Sequence, residues 1–214
     1  MVSNFKELID EPELKQSSDS EVIFVTNDVS WDNYETLGIK LEENSHYRLT
    51  YLDGVLEIVS PSKRHESAKT RISFLVSLFL WKKQITYFSW GSATLKNEAK
   101  KAGAEPDECF CIGEEKDIPD LVIEVVITSG SISKLETYRR LEVAEIWFWQ
   151  SNQFKLYHLR DISQSEQASI FPETYGYEEI TTSELLPELD IALLTRCLLI
   201  ADLIQSNNEF DRSI

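Results

Sequence analysis

The sequence is poor in cysteine, with Cys109, Cys111 and Cys197 the only three among 214 residues. An odd number of thiols, two of them on one face of a predicted strand, is a weak basis for a disulfide framework. A structural zinc site would need a second pair of ligands, and the sequence offers none at a suitable spacing. We therefore predict that all three thiols are small buried hydrophobic groups in a reducing compartment.

Long apolar runs are also missing. No hydrophobic stretch approaches the roughly 20 residues that a helix needs to cross a bilayer. The N-terminal segment, MVSNFKELIDEPELKQ, has neither the basic start nor the apolar core of a secretory signal. These two absences predict a protein of the cytoplasm with no membrane association.

Positive charge is scarce, because 21 basic residues stand against 37 acidic ones and give a net charge of −16. Such a balance repels polyanions at long range and argues against a constitutive nucleic-acid coat. It does not exclude a nuclease, since an active site that binds metal is itself acidic. We expect most of the local basic clusters to be solvated faces, and they lie at Lys63–Arg64, Lys82–Lys83, Lys96, Lys100–Lys101 and Arg139–Arg140.

The hydrophobic and charged fractions, 42% and 27%, are those of an ordinary globular protein. The sequence predicts a flexible lead-in over 1–20, one domain over 21–205 and a tail over 206–214, without internal repeats. Strands are predicted at 21–25, 85–95, 108–112, 119–127, 144–149, 153–159 and 177–181, with helices at 31–39, 64–83, 132–141 and 190–204. Residues 96–104 are predicted to be a polar, basic loop. The mixture of strands and helices indicates an α/β (α+β) fold.

Residues 46–60 predict a β-hairpin. Two alternating runs meet at Asp53-Gly54, a pair that favours a type I′ turn because both residues accept positive φ. On the second strand, Val55, Glu57 and Val59 share one face. Glu57 therefore points either to solvent or into a cleft, and its spacing alone does not decide which.

His65 lies in the first turn of the helix predicted at 64–83. Free backbone N–H groups at a helix start favour an anion, so a phosphate could approach there. On its sequence position alone, the simpler interpretation is a surface residue at the start of a helix.

The strand at 119–127 carries an acid inside an otherwise apolar run. Burying Glu124 would cost several kcal/mol without a cation, a proton or a hydrogen-bond donor nearby. Asp120 shares its face, but four strand steps place the two residues roughly 13 Å apart, too far to bind one ion. Asp107, which arrives from another strand, is the better partner. In the helix that follows, Lys134 and Tyr138 lie four residues apart and share a face.

Two carboxylates meeting at a cleft supply the hard oxygen ligands that Mg²⁺ (or Mn²⁺) prefers on phosphate substrates. An ammonium such as that of Lys134 could stabilise the growing negative charge. The chemistry indicated is phosphodiester hydrolysis, with Asp107 and Glu124 as the metal ligands.

Several segments in series resemble the PD-(D/E)XK nuclease superfamily and, within it, the Uma-type restriction endonucleases. They are LDGVLEIVSPSKRHE, EPDECF, IPDLVIEVV and KLETYRRLEVAEIWFW. Pro106-Asp107 matches the PD step, and Glu124 matches the acid of the (D/E)XK step. Val126 stands where the superfamily usually has lysine, and the resemblance offers Lys134, from the following helix, as the substitute.

The resemblance also matches Glu57 and His65 to acidic and histidine positions near the start of the family's site. It implies a restriction-endonuclease-like mixed central sheet flanked by helices, with an N-terminal β-hairpin extension. It further implies a Mg²⁺-dependent endonuclease that acts on DNA, with Asp107, Glu124, Lys134, Glu57 and His65 in its site.

Two alternatives remain open. The first is a catalytically inactive nuclease fold that serves as a binding or regulatory module, in keeping with Val126 and the acidic net charge. The second is an acidic pair that is purely structural.

A homodimer is expected because enzymes that cut both strands often pair two sites, and the aromatic strands and terminal helix offer apolar surface.

Overall fold

The computed structural model describes residues 21–41, 46–127, 133–160 and 172–214. The predicted lead-in over 1–20 lies outside the described residues. In chain order the elements are β1 (Val22–Thr26), α1 (Trp31–Leu41), β2 (Arg48–Leu52), β3 (Val55–Ser60), α2 (Lys63–Lys82), β4 (Tyr87–Ser89), β5 (Leu95–Asn97), β6 (Ala102–Ala104), β7 (Glu108–Ile112), β8 (Leu121–Val126), α3 (Lys134–Leu141), β9 (Glu145–Gln150), β10 (Gln153–Leu159), a 3₁₀ turn (Pro172–Thr174), β11 (Tyr177–Ile180), α4 (Ile191–Leu199) and α5 (Leu203–Ser213).

The first sheet has five antiparallel strands in the order β1-β3-β2-β6-β5. Its centre is the predicted hairpin, and the turn residues Asp53 and Gly54 have φ values of 47° and 87°. Both are positive, as a type I′ turn requires. Helix α1 covers one face of this sheet with buried Trp31, Tyr34 and Leu37. The predicted hairpin extension is thus confirmed as part of a larger sheet.

The second sheet has six strands in the order β11-β10-β9-β8-β7-β4. Strands β8 and β9 run parallel, with Glu124 opposite Phe148, and the other pairs are antiparallel. A parallel pair needs a crossover, and α3 provides it. This is the mixed central sheet that the resemblance to the PD-(D/E)XK nucleases implies.

Helices cover both faces of the second sheet. Leu121, Ile123 and Val125 of β8 pack into the core shared with α2, α4 and α5. Val122 packs on the opposite side, in the core shared with α3, β5 and β6. Because side chains alternate along a strand, Glu124 points to the same side as Val122, towards the first sheet.

The loop predicted at 96–104 is wrong, because β5 and β6 occupy part of it. These strands have three residues each, and their lysine, asparagine and glycine content hides the alternation. Gly103 lies directly under the Tyr34 ring, where an added Cβ would collide with the ring atoms. The absent side chain therefore lets α1 approach the sheet closely.

The predicted C-terminal boundary is also wrong. The single helix expected at 190–204 ends at Leu199, and the expected tail at 206–214 belongs to α5. Asp202 caps α5 by accepting a hydrogen bond from the Gln205 backbone N–H at 2.8 Å. Phe210 of α5 is fully buried in the core with α2. Residues 206–214 are therefore an integral part of the domain.

Cys109, Cys111 and Cys197 are free and buried, as predicted. Among the described residues, no helix combines the length and apolar character that crossing a membrane requires.

Candidate active site

A cavity of about 310 Å³ opens between the two sheets, beside the N-terminus of α3. We call it the first cavity. The five residues singled out from the sequence, Glu57, His65, Asp107, Glu124 and Lys134, all line it. They come from β3, α2, the bend before β7, β8 and α3, so the site depends on both sheets being in place.

Asp107 occupies the bend just before β7. Glu108 pairs with Ile123, which places Asp107 across from Glu124. Its Oδ2 accepts a hydrogen bond from the Val125 backbone N–H at 2.7 Å, and the residue is 2% exposed. Asp107 is thus held against β8, and the sequence-predicted pairing of Asp107 with Glu124 is realised in the fold.

Glu124 points from the middle of β8 towards α3. Its Oε1 accepts hydrogen bonds from Lys134 Nζ, at 3.1 Å, and from the Tyr138 hydroxyl. Both bonds that Glu124 accepts within the described residues use this one oxygen. Its Oε2 is left for another partner on the cavity side.

Lys134 reaches this carboxylate because it is the first residue of α3. Ser133 caps the helix by accepting the Glu136 backbone N–H at 3.2 Å, and this fixes the start of the helix at the end of the cavity. Val126, where the lysine of the nuclease motif would stand, also lines the first cavity but has no group that can donate. The helix therefore brings an ammonium to the position that the strand leaves without one.

His65 is buried, at 4% exposure, so the simpler interpretation of a surface residue is wrong. The start of α2 packs against the bend before β7. Nε2 of His65 lies 2.8 Å from Asp107 Oδ1, and Nδ1 lies 2.8 Å from Glu21 Oε1. Since both neighbours are acceptors, both ring nitrogens must donate, which only the imidazolium can do.

The charge state of His65 follows from the same contacts. Burial alone would lower its pKa, but the hydrogen bonds and charges of Asp107 and Glu21 outweigh it and raise the pKa to about 9. Burial likewise opposes the charge of Asp107, yet the His65 imidazolium lowers the pKa of that carboxyl below its usual value. Asp107 and His65 therefore stabilise each other as an ion pair.

Glu124 behaves in the opposite way. Burial raises its pKa, with the negative charge of Asp107 adding to the effect and Lys134 and Tyr138 opposing it. Burial disfavours the charge of Lys134, but Glu124 and Asp107 outweigh it and raise the lysine pKa. Two neighbouring carboxyls with pKa values moved in opposite directions are typical of catalytic sites.

The structure shows whether Glu57 points to solvent or into a cleft, which its spacing does not decide. It lies in the middle of β3, between Val25 of β1 and Thr50 of β2, and is 2% exposed. Its side chain faces the first cavity, where its negative charge helps to raise the pKa of Lys134. Glu57 is therefore a cleft residue.

The donor set suits a hard divalent cation. Mg²⁺ is typically held by one or two carboxylates, with water and substrate phosphate completing its shell. Among the described residues, no group of three or more His, Cys, Asp or Glu side chains is arranged to hold a metal ion. Asp107 and Glu124, beside a cavity with room for water and phosphate, fit the two-carboxylate arrangement.

Sequence reasoning missed several residues of the site. Glu21 holds the second nitrogen of His65, and its position at the edge of β1 gave no signal. Tyr138 shares a helix face with Lys134, and that spacing is the signal in the sequence for its contact with Glu124. Glu105 and Arg48 also line the first cavity.

Asp120, which strand geometry excluded as a ligand, has a structural role. Its two carboxylate oxygens bind Lys116 Nζ at 2.7 Å and the Ile112 backbone N–H at 2.8 Å. It holds the turn between β7 and β8.

A family model, Uma2, described as "Putative restriction endonuclease", matches residues 31–194 of the chain. The matched span runs from the first residue of α1 into α4 and contains Glu57, His65, Asp107, Glu124 and Lys134. No curated protein matches the chain.

Proposed function

The chain belongs to the Uma2 family, whose model is described as "Putative restriction endonuclease", and from this premise we propose that it is a metal-dependent endonuclease that hydrolyses phosphodiester bonds in DNA. The observation that carries the proposal is the contact of Lys134 Nζ with Glu124 Oε1, across from Asp107, in a cavity that all three residues line. It unites an ammonium and two carboxylates where the family's chemistry requires them.

Asp107 and Glu124 are the residues that would hold Mg²⁺ or Mn²⁺. When bound, the ion lowers the pKa of a coordinated water and neutralises charge on the scissile phosphate. Asp107 is pre-oriented by His65 and by the Val125 backbone, and Glu124 is pre-oriented by Tyr138. Their oxygens are therefore positioned before any substrate arrives.

Lys134 stabilises the negative charge that develops on the phosphate oxygens. Its ammonium is held charged by Glu124 and Asp107, and its side chain is 22% exposed, so it can meet a substrate from the cavity side. The geometry of donor to phosphate matters, and whether the donor comes from a strand or a helix does not.

His65 and Glu57 have supporting roles. His65 keeps Asp107 ionised and in place, as the imidazolium between two carboxylates. Glu57 adds negative charge to the cavity that Lys134 also lines.

We propose that the protein acts in the cytoplasm.

We further propose that the enzyme acts as a homodimer. Trp81 of α2 and Ile204 of α5 are 66% and 74% exposed, and such large apolar side chains support a protein interface. Light scattering should give twice the monomer mass of 24.7 kDa. A monomer at all concentrations would contradict the dimer without touching the catalytic proposal.

The test of the catalytic proposal is cleavage of plasmid and short duplex DNA by purified protein with Mg²⁺ or Mn²⁺. We expect cleavage that depends on the metal and that Glu124→Ala abolishes. Glu188→Ala is the matched control, because Glu188 is exposed and does not line the first cavity. Activity that survives Glu124→Ala unchanged would contradict the assignment.

A second candidate is a nuclease fold that binds DNA or a metal without cleaving. Val126 and the net charge of −16 favour it. It predicts no metal-dependent cleavage by the wild type. Calorimetric titration of Mg²⁺ or Mn²⁺ into the wild type and Asp107→Ala then shows whether the metal site persists, since a site lost in evolution gives the same heats for both proteins.

A further inference from the structure

A second cavity, of about 350 Å³, adjoins the first. The two cavities share Val126 and Gln150, which pair with each other at the ends of β8 and β9. A polymer strand that passes the carboxylates of the first cavity and crosses this pair of residues would enter the second. The second cavity is lined by Arg64, Ser67, Ala68, Arg71, Val126, Ile127, Trp149, Gln150, Ser151, Asn152, Leu198 and Leu199.

The two cavities differ in charge. Five acids line the first, namely Glu21, Glu57, Glu105, Asp107 and Glu124, together with the basic side chains of Arg48, His65, Lys134 and Lys155. Among the residues that the structure describes, no acid lines the second, although the chain has 37 acidic residues and only 21 basic ones. Arg64 and Arg71 leave the second cavity with positive charge, so it favours an anion.

The two arginines differ in the hydrogen bonds that their guanidinium groups make. The Arg71 guanidinium donates to the carbonyl oxygens of Cys197, at 3.1 Å, and Ile200, at 2.7 Å. These bonds fix its charge in the wall without an acid to cancel it. Arg64 is exposed, and its side chain makes no hydrogen bond or ion pair within the described residues. Its guanidinium is therefore available to a ligand, and the guanidinium group suits bidentate contacts with phosphate.

The remaining walls supply polar and apolar contacts. Arg64, Ser67 and Arg71 recur at positions i, i+3 and i+7 on one face of α2. Ser151 and Asn152, with φ values of 52° and 63°, form the tight turn between β9 and β10. Trp149 adds an apolar surface. Positive charge, hydroxyl and amide groups and an apolar wall together suit a nucleotide unit.

From these observations we propose that the second cavity is a subsite for the nucleotide next to the cleaved bond, with Arg64 binding its phosphate. The inference rests on the proposed endonuclease function, because it takes the cleaved strand to lie in the first cavity. Arg64 is a positioning residue and takes no part in the chemistry at Asp107 and Glu124.

The test is steady-state cleavage of a fluorescent 20-base-pair DNA duplex in Mg²⁺ by Arg64→Gln. We expect KM to rise about 5- to 20-fold and kcat to stay within about twofold, since a lost phosphate contact weakens binding and leaves the reacting groups in place. The slope of log binding constant against log salt concentration should fall by about 1. Arg64→Lys should restore the salt slope because it keeps the charge, but only part of the affinity because an ammonium cannot make the bidentate contact.

Arg212→Gln is the matched control. Arg212 is exposed near the end of α5, next to Asp211, which pairs with Lys82 at 3.2 Å. Arg64 and Lys82 lie at opposite ends of α2, about 27 Å apart at 1.5 Å per residue. We expect Arg212→Gln to match the wild type in KM and in salt slope.

A second pair of variants tests the cavity without touching a cation. Ser67→Glu puts an acid into the second cavity, whereas Thr70→Glu makes the same charge change on an exposed position of α2 that lines neither cavity. We expect Ser67→Glu to weaken duplex binding about 10-fold or more and Thr70→Glu to have a clearly smaller effect. Equal effects of the two changes would overturn the subsite.

The failure of this inference is distinct from the failure of the proposed function. If the wild type cleaves and Arg64→Gln matches Arg212→Gln in KM and in salt slope, the subsite is wrong and the endonuclease stands. If the wild type neither binds nor cleaves the duplex, the proposed function fails, and the subsite fails with it.

Discussion

Two buried glutamates on neighbouring strands have opposite environments. Glu124 of β8 is 5% exposed, and its hydrogen bonds within the described residues both reach one oxygen. Glu145 at the start of β9 is fully buried, and both its oxygens accept hydrogen bonds from a set of donors: Trp147 Nε1 at 2.7 Å, His158 Nδ1 at 3.1 Å and the backbone N–H groups of Glu184 and Leu185 at 3.0 and 3.3 Å.

The pKa directions follow from these contacts. Burial opposes the ionisation of Glu145, but the hydrogen bonds from His158, Ser183 and Trp147 outweigh it and lower the pKa. For Glu124, burial prevails and the pKa rises. Glu145 lines neither cavity and accepts hydrogen bonds on both oxygens, so it holds the structure together, whereas Glu124 lines the first cavity and has an oxygen that accepts no hydrogen bond within the described residues. Burial alone therefore does not identify a functional acid.

The largest of the effects compared here is expected on the cleavage rate when Lys134, the partner of Glu124, is replaced. Replacing it by Lys134→Met should lower the cleavage rate by about 10²- to 10³-fold, the usual cost of removing one charge-stabilising donor. Single-turnover cleavage measures this directly. Lys40→Met, which changes an exposed lysine at the end of α1, should cleave like the wild type. A normal rate for Lys134→Met would contradict its catalytic role.

The next largest effect is expected on the stability of the protein when Glu145 is replaced. Glu145→Gln keeps the shape but puts an amide N–H₂ against donors, so we expect the free energy of unfolding to fall by about 2–4 kcal/mol. Urea denaturation measures the loss. The folded fraction of this variant should cleave DNA within about twofold of the wild type, and a selective loss of activity without a loss of stability would contradict the division of roles.

Denaturation in acid tests the direction of the Glu145 pKa shift. A carboxyl whose pKa is lowered on folding contributes stability above its unfolded value, near 4.5, and that contribution is lost as pH falls through the lower folded value. We therefore expect the stability gap between wild type and Glu145→Gln to narrow as pH falls below about 4.5. Urea denaturation at stepwise lower pH measures this gap, and a gap that widens in acid would contradict the lowered pKa.

The smallest effect concerns a single donor to Glu124. Tyr138→Phe removes the hydroxyl that orients Oε1 but leaves Lys134 in place. We expect cleavage to fall about 3- to 10-fold, in the range of the loss of one outer hydrogen bond at a metal site. The comparison is with Tyr157→Phe, because Tyr157 also lines the first cavity but its hydroxyl contacts Glu179, at 3.5 Å. Equal effects of the two changes would remove Tyr138 from the site.

Local patterns predicted much of the fold. The Asp-Gly turn, the apolar strand β8 with its buried acid and the amphipathic helix α2 all have signals within a few residues. The same patterns do not predict a short strand such as β6, which has the sequence Ala-Gly-Ala and is held by pairing with β2 and β5. Nor do they reveal α5, whose polar sequence hides two buried residues, Ser206 and Phe210.

The site was predictable only in part for the same reason. Asp107 and Glu124 stand out because they are acids next to apolar strands, yet Glu145, an acid at the start of another apolar strand, has the same pattern and a different role. The partners that decide between these roles are distant in sequence, 39 residues away for Glu184 and 44 for the pair of His65 with Glu21. No spacing rule covers such distances.

The central claim is that Glu124, with Asp107, holds a divalent metal and that Glu145 does not. Isothermal titration of Mn²⁺ into the wild type, Glu124→Gln and Glu145→Gln tests it most directly, with folding of each variant checked by circular dichroism. We predict that Glu124→Gln weakens binding at least 10-fold, whereas Glu145→Gln binds like the wild type. Equal binding by the wild type and Glu124→Gln would contradict the account.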